Sequence, residues 1–338
     1  MRKDLTVAVR DYAALDKRVT EYQFAELSPL SREHYDGIWQ SFVNFAAPKD
    51  AWRADDMDVA RWLAAMAARG VSPQTVKSRV SAINYMFERA GKGAAYGRPG
   101  KGTRPSPARE LIVRQTFRGI CRKHGRPIGR RLPILLDSLE HMITAQPDTL
   151  LGIRNRALLV LGWGAALRSR ELEMMDAAPR GSGDGWINLS DEGVIVTLRR
   201  SKSNREGRRL ERYGVPARPG VPMCCPVRLL RTWMEVAEIS KGPLFLICQT
   251  RVTPLRRRLQ KQSIRKAVRD AALEIGLDRM IGAHSLRSGC LTWLDMQGVN
   301  PYRIMKHSGH QNVHSLLNYI TPPMTPASSP LSETIWVR

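Results

Sequence analysis

The sequence predicts a mainly helical protein with one small β-sheet, built as two domains. Its 338 residues exceed the usual size of one domain, and 43% of them are hydrophobic, which is enough apolar material for two cores. Apolar side chains recur at helical spacing through the first third of the chain and again after residue 260. Between these regions, residues 186–214 alternate apolar and polar side chains, as β-strands do.

The first domain is predicted to be a small helical bundle over residues 28–130, preceded by an N-terminal arm, residues 1–27, that shows no strong periodicity. Ser31 is a candidate N-cap, and Ser72-Pro73 places a cap and a proline at the start of a later helix. The predicted helices span residues 31–46, 58–68, 73–90 and 108–123. The core of this bundle is predicted to contain Trp39, Trp52 and Trp62.

The second domain is predicted over residues 131–320, after a basic linker at the end of the first domain. Its predicted helices span residues 137–145, 155–167 and 262–275, with Gly276 as the C-terminal cap of the last one. Its predicted strands lie within residues 186–214 and 242–247, and short helices end near Tyr319. Residues 321–338 contain four prolines and are predicted to form a tail.

The charge of the chain is strongly positive, with 54 basic against 31 acidic residues and a formal net charge of +23. Three segments, residues 101–131, 199–213 and 251–269, hold 25 of the basic residues and only three acidic ones. A charge of this size indicates a polyanionic partner rather than a small-molecule substrate. Three separated basic segments predict contacts with a nucleic acid backbone from several sides, although the first could be only a solvated linker.

The sequence excludes three other classes of protein. The longest uncharged apolar run, about Ala157 to Leu167, is far shorter than the ~20 residues of a membrane-spanning helix. No apolar stretch of signal-peptide length follows Met1-Arg2-Lys3. The five cysteines are odd in number and include the vicinal pair Cys224-Cys225, so neither a disulfide framework nor a zinc motif is predicted. We therefore expect a cytoplasmic protein without a membrane partner.

The residues that could carry chemistry are polar groups spread over the second domain. They are Arg168, Lys202, His284, Arg287, His310 and Tyr319. His284 and Arg287 lie three residues apart and would share one face of a helix. Each signal is weak when taken alone, because His-x-x-Arg pairs occur by chance and a late tyrosine more often packs than reacts.

Taken together, in this order and spacing, these residues resemble the hallmark of the tyrosine recombinase (phage integrase) family, Arg…Lys…His-x-x-Arg…His/Trp…Tyr. The resemblance covers about residues 150–320 and includes the flanking phrases Arg156-Ala157-Leu158-Leu159 and Gly242-Pro243-Leu244-Phe245. It implies a helical core-binding domain with a SAM-like fold, followed by a catalytic domain. The two would form a C-shaped clamp around DNA.

The resemblance also implies a role for each residue. Two guanidiniums, those of Arg168 and Arg287, would hold the nonbridging oxygens of the scissile phosphate by bidentate hydrogen bonds. Tyr319 would be the nucleophile, and His284 its proton acceptor or a proton relay, because a phenol with a pKa near 10 needs activation.

Two further roles complete the set. Lys202, on a hairpin, would protonate the leaving 5′-oxygen, and His310 would hydrogen-bond the phosphate. With so many cationic donors, no divalent metal and no other cofactor is expected.

The implied activity is site-specific recombination of double-stranded DNA. A 3′-phosphotyrosyl bond keeps the energy of the phosphodiester, so another 5′-hydroxyl can reseal the strand without ATP, and no GxxxxGK[ST] loop is present. Four protomers would act on two recombination sites through a Holliday junction. The protein would be bacterial or phage-encoded and would associate with the nucleoid. The tail over residues 321–338 would supply a contact in trans.

The sequence departs from the family pattern at two points. Ala165-Ala166-Leu167 stands where the family usually has Thr-Gly before the first arginine, which could alter the turn, and Lys202 is followed by serine rather than threonine. Glu171 keeps the usual acid three residues after Arg168 and is predicted to be a buried buttress. Arg170 is an additional cation, either a DNA contact or without a role.

Two other functions stay open. A type IB topoisomerase would share the nicking step but relax DNA without exchanging partners. A DNA-binding regulator would need no catalysis, although all six catalytic positions are filled. The spacing of His307, His310 and His314 also permits a zinc site. However, no cysteine or acidic residue stands beside them, so His307 and His314 are predicted to pack or to lie on the surface, as is Tyr302.

Overall fold

The computed structural model describes residues 12–90, 105–126, 132–179, 181–201, 204, 206–248, 254–278 and 280–320. Within these ranges the chain is mainly helical with two small sheets, which confirms the predicted fold class. It divides into two compact units, Met1–Ile128 and Gly129–Arg338. None of the helices in these ranges combines the length and the apolar character needed to cross a membrane. Lys202, residues 91–104 and the tail over residues 321–338 lie outside the described residues.

The first unit is a bundle of five helices in the part of the chain that the structure describes. They are α1 (Tyr12–Ala25), α2 (Pro29–Ala46), α3 (Asp56–Ala68), α4 (Pro73–Ala90) and α5 (Leu111–His124). Four of them match the predicted helices, whereas α1 lies within the segment expected to be an aperiodic arm. The sequence of α1 has no apolar stripe that could have predicted a helix, and most of the helix is accordingly exposed.

Helix caps fix where these helices begin. The expectation that Ser31 caps α2 is wrong, because the Ser28 side chain accepts the Ser31 amide and Pro29 occupies the first turn. In α3, Asp55 and Asp58 form a reciprocal capping box, which starts the helix two residues before the predicted start at Asp58.

Aromatic side chains fill the core of the bundle, as predicted. Trp62 is buried, and its ring centroid lies 5.0 Å from that of Phe42. Trp39 and Trp52 are partly buried against the same cluster, with their ring centroids 4.2 Å apart. Such aromatic contacts add to the free energy gained by burying the ring area itself.

The second unit surrounds a larger core with eight helices in its described residues. They are α6 (Leu136–Thr144), α7 (Leu150–Gly164), α8 (Ser169–Glu173), α9 (Pro226–Val236), α10 (Lys261–Glu274), α11 (Ala283–Met296), α12 (Pro301–Ser308) and α13 (Val313–Ile320). The predicted helix at residues 155–167 begins earlier, because Thr149 accepts the Gly152 amide and caps α7. Gly276 follows α10 with a φ of 76°, which confirms it as the predicted C-terminal glycine.

Six short strands complete the described part of this unit. They are β1 (Met175–Asp176), β2 (Gly185–Leu189), β3 (Gly193–Leu198), β4 (Glu211–Pro216), β5 (Leu246–Cys248) and β6 (Pro254–Arg258). The first four form a sheet in the order β1-β2-β3-β4, antiparallel except for the parallel pair β1–β2. Strands β5 and β6 form a separate antiparallel pair. The connection between β3 and β4, residues 199–210, is the one that contains Lys202.

Candidate active site

The first candidate residue, Arg168, lies between the turn that ends α7 and the start of α8. The Ala166 and Leu167 amides donate to the carbonyls of Trp163 and Gly162, which is the Schellman geometry that usually requires glycine in the left-handed position. Here that position is Ala166, with a φ of 49°. Alanine in place of glycine therefore keeps the turn, at the cost of a strained backbone.

Arg168 is held by Glu171, as the sequence predicted. The buried Glu171 carboxylate accepts the Arg168 amide at 2.8 Å and its guanidinium Nη1 at 2.7 Å. Such charge-assisted bonds orient the guanidinium while leaving its other donors available. The Arg170 side chain is 63% exposed, and its Nη1 lies 2.8 Å from the Glu173 carboxylate.

His284 and Arg287 both lie on α11, as their spacing requires. The packing of this helix depends on Gly289, since a Cβ built there would fall 1.8 Å from the Ile134 carbonyl oxygen. The Ile134 amide in turn donates to the Ser285 carbonyl at 3.0 Å. These contacts place His284 at the surface and Arg287 inside, with only 2% of Arg287 exposed.

The Arg287 guanidinium connects three parts of the unit. Its Nη1 donates to the Ala166 carbonyl at 2.5 Å, and its Nη2 donates to the Ser308 carbonyl at 2.7 Å. Its Nε is buried with no hydrogen-bond partner among the described residues. Burial lowers the pKa of Arg287, and the nearby positive charge of Arg168 lowers it further. Two guanidinium groups therefore lie close together here.

His310 lies in the turn after α12, beside Arg287. Its Nε2 is 3.2 Å and its Nδ1 3.5 Å from Arg287 Nη2, and its Nδ1 is 2.7 Å from the Ser308 hydroxyl. Burial and then the charges of Arg287, Arg168 and His284 lower the pKa of His310 from 6.5 to about 3. The imidazole is therefore neutral near neutral pH.

Tyr319, on α13, completes the cluster. Its hydroxyl lies 3.0 Å from His284 Nε2, and its ring centroid lies 5.3 Å from that of His310. The Thr292 hydroxyl donates to the Tyr319 carbonyl at 2.9 Å, which ties α13 to α11. A phenol that donates to an imidazole at this distance is placed for proton transfer.

Five of the six predicted residues thus lie close together, while Lys202 lies outside the described residues. The base of its loop is closed by Asn204, a residue that sequence reasoning missed. The Asn204 amide nitrogen donates to the carbonyls of Arg199 and Arg209, and its Oδ1 accepts the Arg208 amide. Asn204 thereby joins the two ends of the β3–β4 connection.

No sequence pattern indicated Tyr213 and Glu211, which lie on β4 beneath the His310 turn. The Tyr213 hydroxyl donates to the buried Glu211 carboxylate at 3.1 Å. Burial and the Glu211 charge raise the pKa of Tyr213, so its phenol stays protonated. Gly309 has a φ of 67°, and a Cβ there would fall 2.5 Å from the Tyr213 hydroxyl oxygen. Tyr213 therefore packs directly against this turn.

Of the three histidines that permit a zinc site, His307 and His310 have other partners, and His314 is exposed. His307 Nε2 donates to the Gly164 carbonyl at 2.8 Å, and burial lowers the pKa of His307. His307 thus packs between α12 and the end of α7, while His314 lies exposed on α13. Among the described residues no three His, Cys, Asp or Glu side chains are grouped as metal ligands.

Comparisons with known sequences identify a family. The profile of the phage integrase family matches residues 134–324, and that of the phage integrase N-terminal SAM-like domain matches residues 23–91. A relative named integrase/recombinase xerD homolog, from Selenomonas ruminantium, is 29% identical over 249 residues, which cover 73% of this chain and 67% of the relative. Tyrosine recombinase XerC of Escherichia coli (strain K12 / DH10B) is 21% identical over 87% of this chain and 86% of its own length.

Solved structures share the fold. One is the XerH site-specific recombinase bound to a palindromic difH substrate, with a TM-score of 0.59 and 17% identity over 86% of this chain and 76% of that one. Another is a lambda integrase tetramer bound to a Holliday junction, with a TM-score of 0.58 and 14% identity over 96% of this chain and 83% of that one. The family profile covers more than half of the sequence, and the chain therefore belongs to the phage integrase family of tyrosine recombinases.

Proposed function

We propose that this chain is a site-specific recombinase that cuts and rejoins double-stranded DNA through a covalent bond to Tyr319. The observation that carries the proposal is the 3.0 Å contact between the Tyr319 hydroxyl and His284 Nε2, beside the guanidinium of Arg287. A nucleophile, a proton acceptor and a cationic binding site for an anion are thereby brought together.

In the proposed cleavage step, Tyr319 Oη forms a bond to phosphorus and the bond from phosphorus to the 5′-oxygen breaks. The phenol proton goes to His284, and the leaving 5′-oxygen takes a proton from Lys202. Arg168 and Arg287 would hold the nonbridging oxygens on which negative charge develops, and His310 would donate to the same phosphate. Loss of one such donor typically costs about 10²–10³ in rate.

Rejoining would reverse these proton transfers, with a 5′-hydroxyl from a second duplex as the attacking group. The partner would be double-stranded DNA with specific recombination sites, in bacterial cytoplasm. A homotetramer on two sites, passing through a Holliday junction, would exchange the strands. The lambda integrase tetramer bound to a Holliday junction, which shares this fold, supports that assembly.

Covalent capture from a pool of random DNA sequences tests the proposal. A library of randomised duplexes is nicked so that cleavage releases a short 5′-hydroxyl oligonucleotide and leaves the protein attached. Wild type should form a denaturant-resistant protein–DNA complex, and Tyr319→Phe should form none, because phenylalanine has no hydroxyl to attack phosphorus. Tyr302→Phe is the matched control, since Tyr302 lies on α12 and is 74% exposed.

Each outcome has a defined meaning. Capture by Tyr319→Phe at the wild-type level would contradict the choice of nucleophile. Sequencing the captured duplexes gives the recombination site, and two such sites on one plasmid should then yield exchanged products. Capture without exchanged products would favour the type IB topoisomerase activity, and failure of wild type to capture any duplex would favour a non-catalytic DNA-binding protein.

A further inference from the structure

Helix α13, which carries Tyr319, is held in place by few buried side chains. Among its side chains that the structure describes, Leu316 alone is fully buried, and Tyr319 is partly buried against the core. Val313 and Leu317 are exposed. A segment with so little buried area opens locally at a low free-energy cost, so each further contact has a large share in holding the helix in place.

The carbonyl of Tyr319 cannot find its hydrogen-bond donor within its own helix. An α-helical bond to this carbonyl would come from the amide of residue 323, and a 3₁₀ bond from the amide of residue 322. Both residues are proline, which has no amide hydrogen. A carbonyl at a helix end that lacks these bonds needs a donor from a side chain or from water.

Thr292, on α11, supplies that donor. Its hydroxyl oxygen lies 2.9 Å from the Tyr319 carbonyl oxygen, and because a carbonyl only accepts, the hydroxyl gives its one hydrogen to this bond. A threonine inside a helix commonly donates instead to the carbonyl four residues earlier, which here is that of Ser288. Thr292 therefore forms a bond between two helices in place of a bond within its own helix.

Helix α11 also carries the groups that act with Tyr319. Arg287 is fixed inside the unit, since its guanidinium donates to two backbone carbonyls from other elements. His284 Nε2 lies 3.0 Å from the phenol oxygen of Tyr319. One helix thus contacts Tyr319 at two points, at its phenol through His284 and at its backbone through Thr292. Two such contacts fix both the position and the direction of the phenol.

We propose that Thr292 is a positioning residue for the nucleophile. Its hydrogen bond to the Tyr319 carbonyl holds α13 against α11, so that the phenol lies beside His284 and Arg287. Without this bond α13 leaves α11 more often, and the phenol is correctly placed for a smaller fraction of the time. The effect on DNA cleavage rests on the proposed function, whereas the contact between the two helices does not.

The rate of covalent capture tests the effect on cleavage, with the nicked duplex that wild type selects. Thr292→Val removes the hydroxyl and keeps the shape of the side chain. At saturating DNA it should form the covalent complex roughly tenfold more slowly, the effect of one lost hydrogen bond. Its dissociation constant for the duplex should stay at the wild-type value, because α13 is displaced only part of the time.

Two further variants separate the hydroxyl from other effects of the substitution. Thr292→Ser keeps the hydroxyl and should capture DNA at close to the wild-type rate. Thr144→Val is the matched control for the change of residue type, because the Thr144 hydroxyl donates to the carbonyls of Glu140 and His141 within its own helix, α6. It should capture DNA as wild type does.

Amide hydrogen exchange of the full chain without DNA tests the contact between the helices by itself. In Thr292→Val, the peptide that contains α13 should exchange roughly tenfold faster than in wild type, because one hydrogen bond no longer holds this helix. The peptide that contains α7 should exchange as in wild type. Thr292→Ser and Thr144→Val should leave the exchange of α13 unchanged.

Several results would overturn the proposal. They are capture by Thr292→Val at the wild-type rate, a loss of rate in Thr292→Ser as large as that in Thr292→Val, or unchanged exchange of α13 in Thr292→Val. If Thr292→Val does not fold, Thr292→Ala removes the same hydroxyl and should give the same results. If wild type captures no DNA, the proposed function fails, while hydrogen exchange still decides whether Thr292 holds α13.

Discussion

At the scale of single residues, Ala166 combines strain with a role in the site. It adopts a left-handed conformation that glycine adopts freely, and its carbonyl accepts a hydrogen bond from Arg287. Ala165, its neighbour, is equally buried but has a φ of −96°. Comparing glycine substitutions at these two positions therefore separates the free-energy cost of backbone strain from the cost of losing a buried methyl group.

We predict that Ala166→Gly destabilises the protein less than Ala165→Gly, by about 1 kcal/mol in the free energy of unfolding. Both variants lose a methyl group and gain backbone entropy in the unfolded state, but only Ala166→Gly relieves a left-handed alanine. Urea unfolding measures both. Equal losses of stability would show that the backbone at Ala166 carries no strain.

The candidate residues were predictable from sequence because their types and spacing are themselves the signal. The residues that these side chains contact were not predictable from sequence. Arg287 contacts Ala166 across 121 residues of sequence, and neither the carbonyl nor the alanine has a pattern that marks it. Ser308 stands within the phrase Ser308-Gly309-His310, yet only the structure shows which ring nitrogen its hydroxyl meets.

At the scale of elements, the turn after α12 depends on its contact with β4. We predict that Gly309→Ala costs more stability than Gly298→Ala, although both glycines have a positive φ. Alanine at Gly298 meets nothing within 4 Å and loses only about 1 kcal/mol to the left-handed conformation. Alanine at Gly309 would also press against the Tyr213 hydroxyl.

A double-mutant cycle with Tyr213→Phe isolates that contact. Removing the hydroxyl should reduce the cost of Gly309→Ala to about that of Gly298→Ala, measured by urea unfolding. If Gly309→Ala costs the same in both backgrounds, β4 does not support the turn.

One arginine of the basic segment at residues 251–269 stabilises the fold itself. On β6, the Arg258 side chain donates to the buried Asp176 carboxylate at 2.5 Å and to the carbonyls of Glu173 and Met175. We predict that Arg258→Ala lowers the free energy of unfolding by about 3–5 kcal/mol, because it leaves a buried carboxylate unpaired. Arg257→Ala, at an exposed position on the same strand, should change it by less than about 0.5 kcal/mol. Similar effects for both would remove this structural role.

Elements with caps and a clear period were the predictable part of the fold. Helix α9 was missed although its buried residues Val227, Leu230 and Trp233 have helical spacing, so a signal was present there. Strands β1 and β6 offered none. β1 has two residues, and β6 is rich in arginine, so their pairing depends on tertiary contacts.

At the scale of the whole molecule, the net charge of +23 is the feature that most favours a DNA partner. Not every cation in the three basic segments is available, since Arg258 is used within the fold. We predict that binding to a duplex of mixed sequence weakens steeply with salt, with a log–log slope of several units.

Arg265 is exposed on α10 and forms no ion pair with a described residue. Arg265→Ala should reduce the slope by about one unit.

Binding measured by fluorescence anisotropy over a series of salt concentrations gives this slope. Arg256→Ala is the comparison, because Arg256 is engaged with the carbonyls of Ala237 and Glu238 and with the Glu238 carboxylate. It should leave the slope nearly unchanged. A flat salt response of wild type would contradict the charged interface altogether.

Peptide mapping of the captured complex tests whether Tyr319 is the residue that attacks the DNA phosphate. After digestion of both the protein and the DNA, mass spectrometry locates the residue that carries the nucleotide. We predict a nucleotide on Tyr319, joined through the phenol oxygen that lies 3.0 Å from His284. A nucleotide on any other residue, such as Tyr302 or Tyr213, would show that Tyr319 is not the nucleophile.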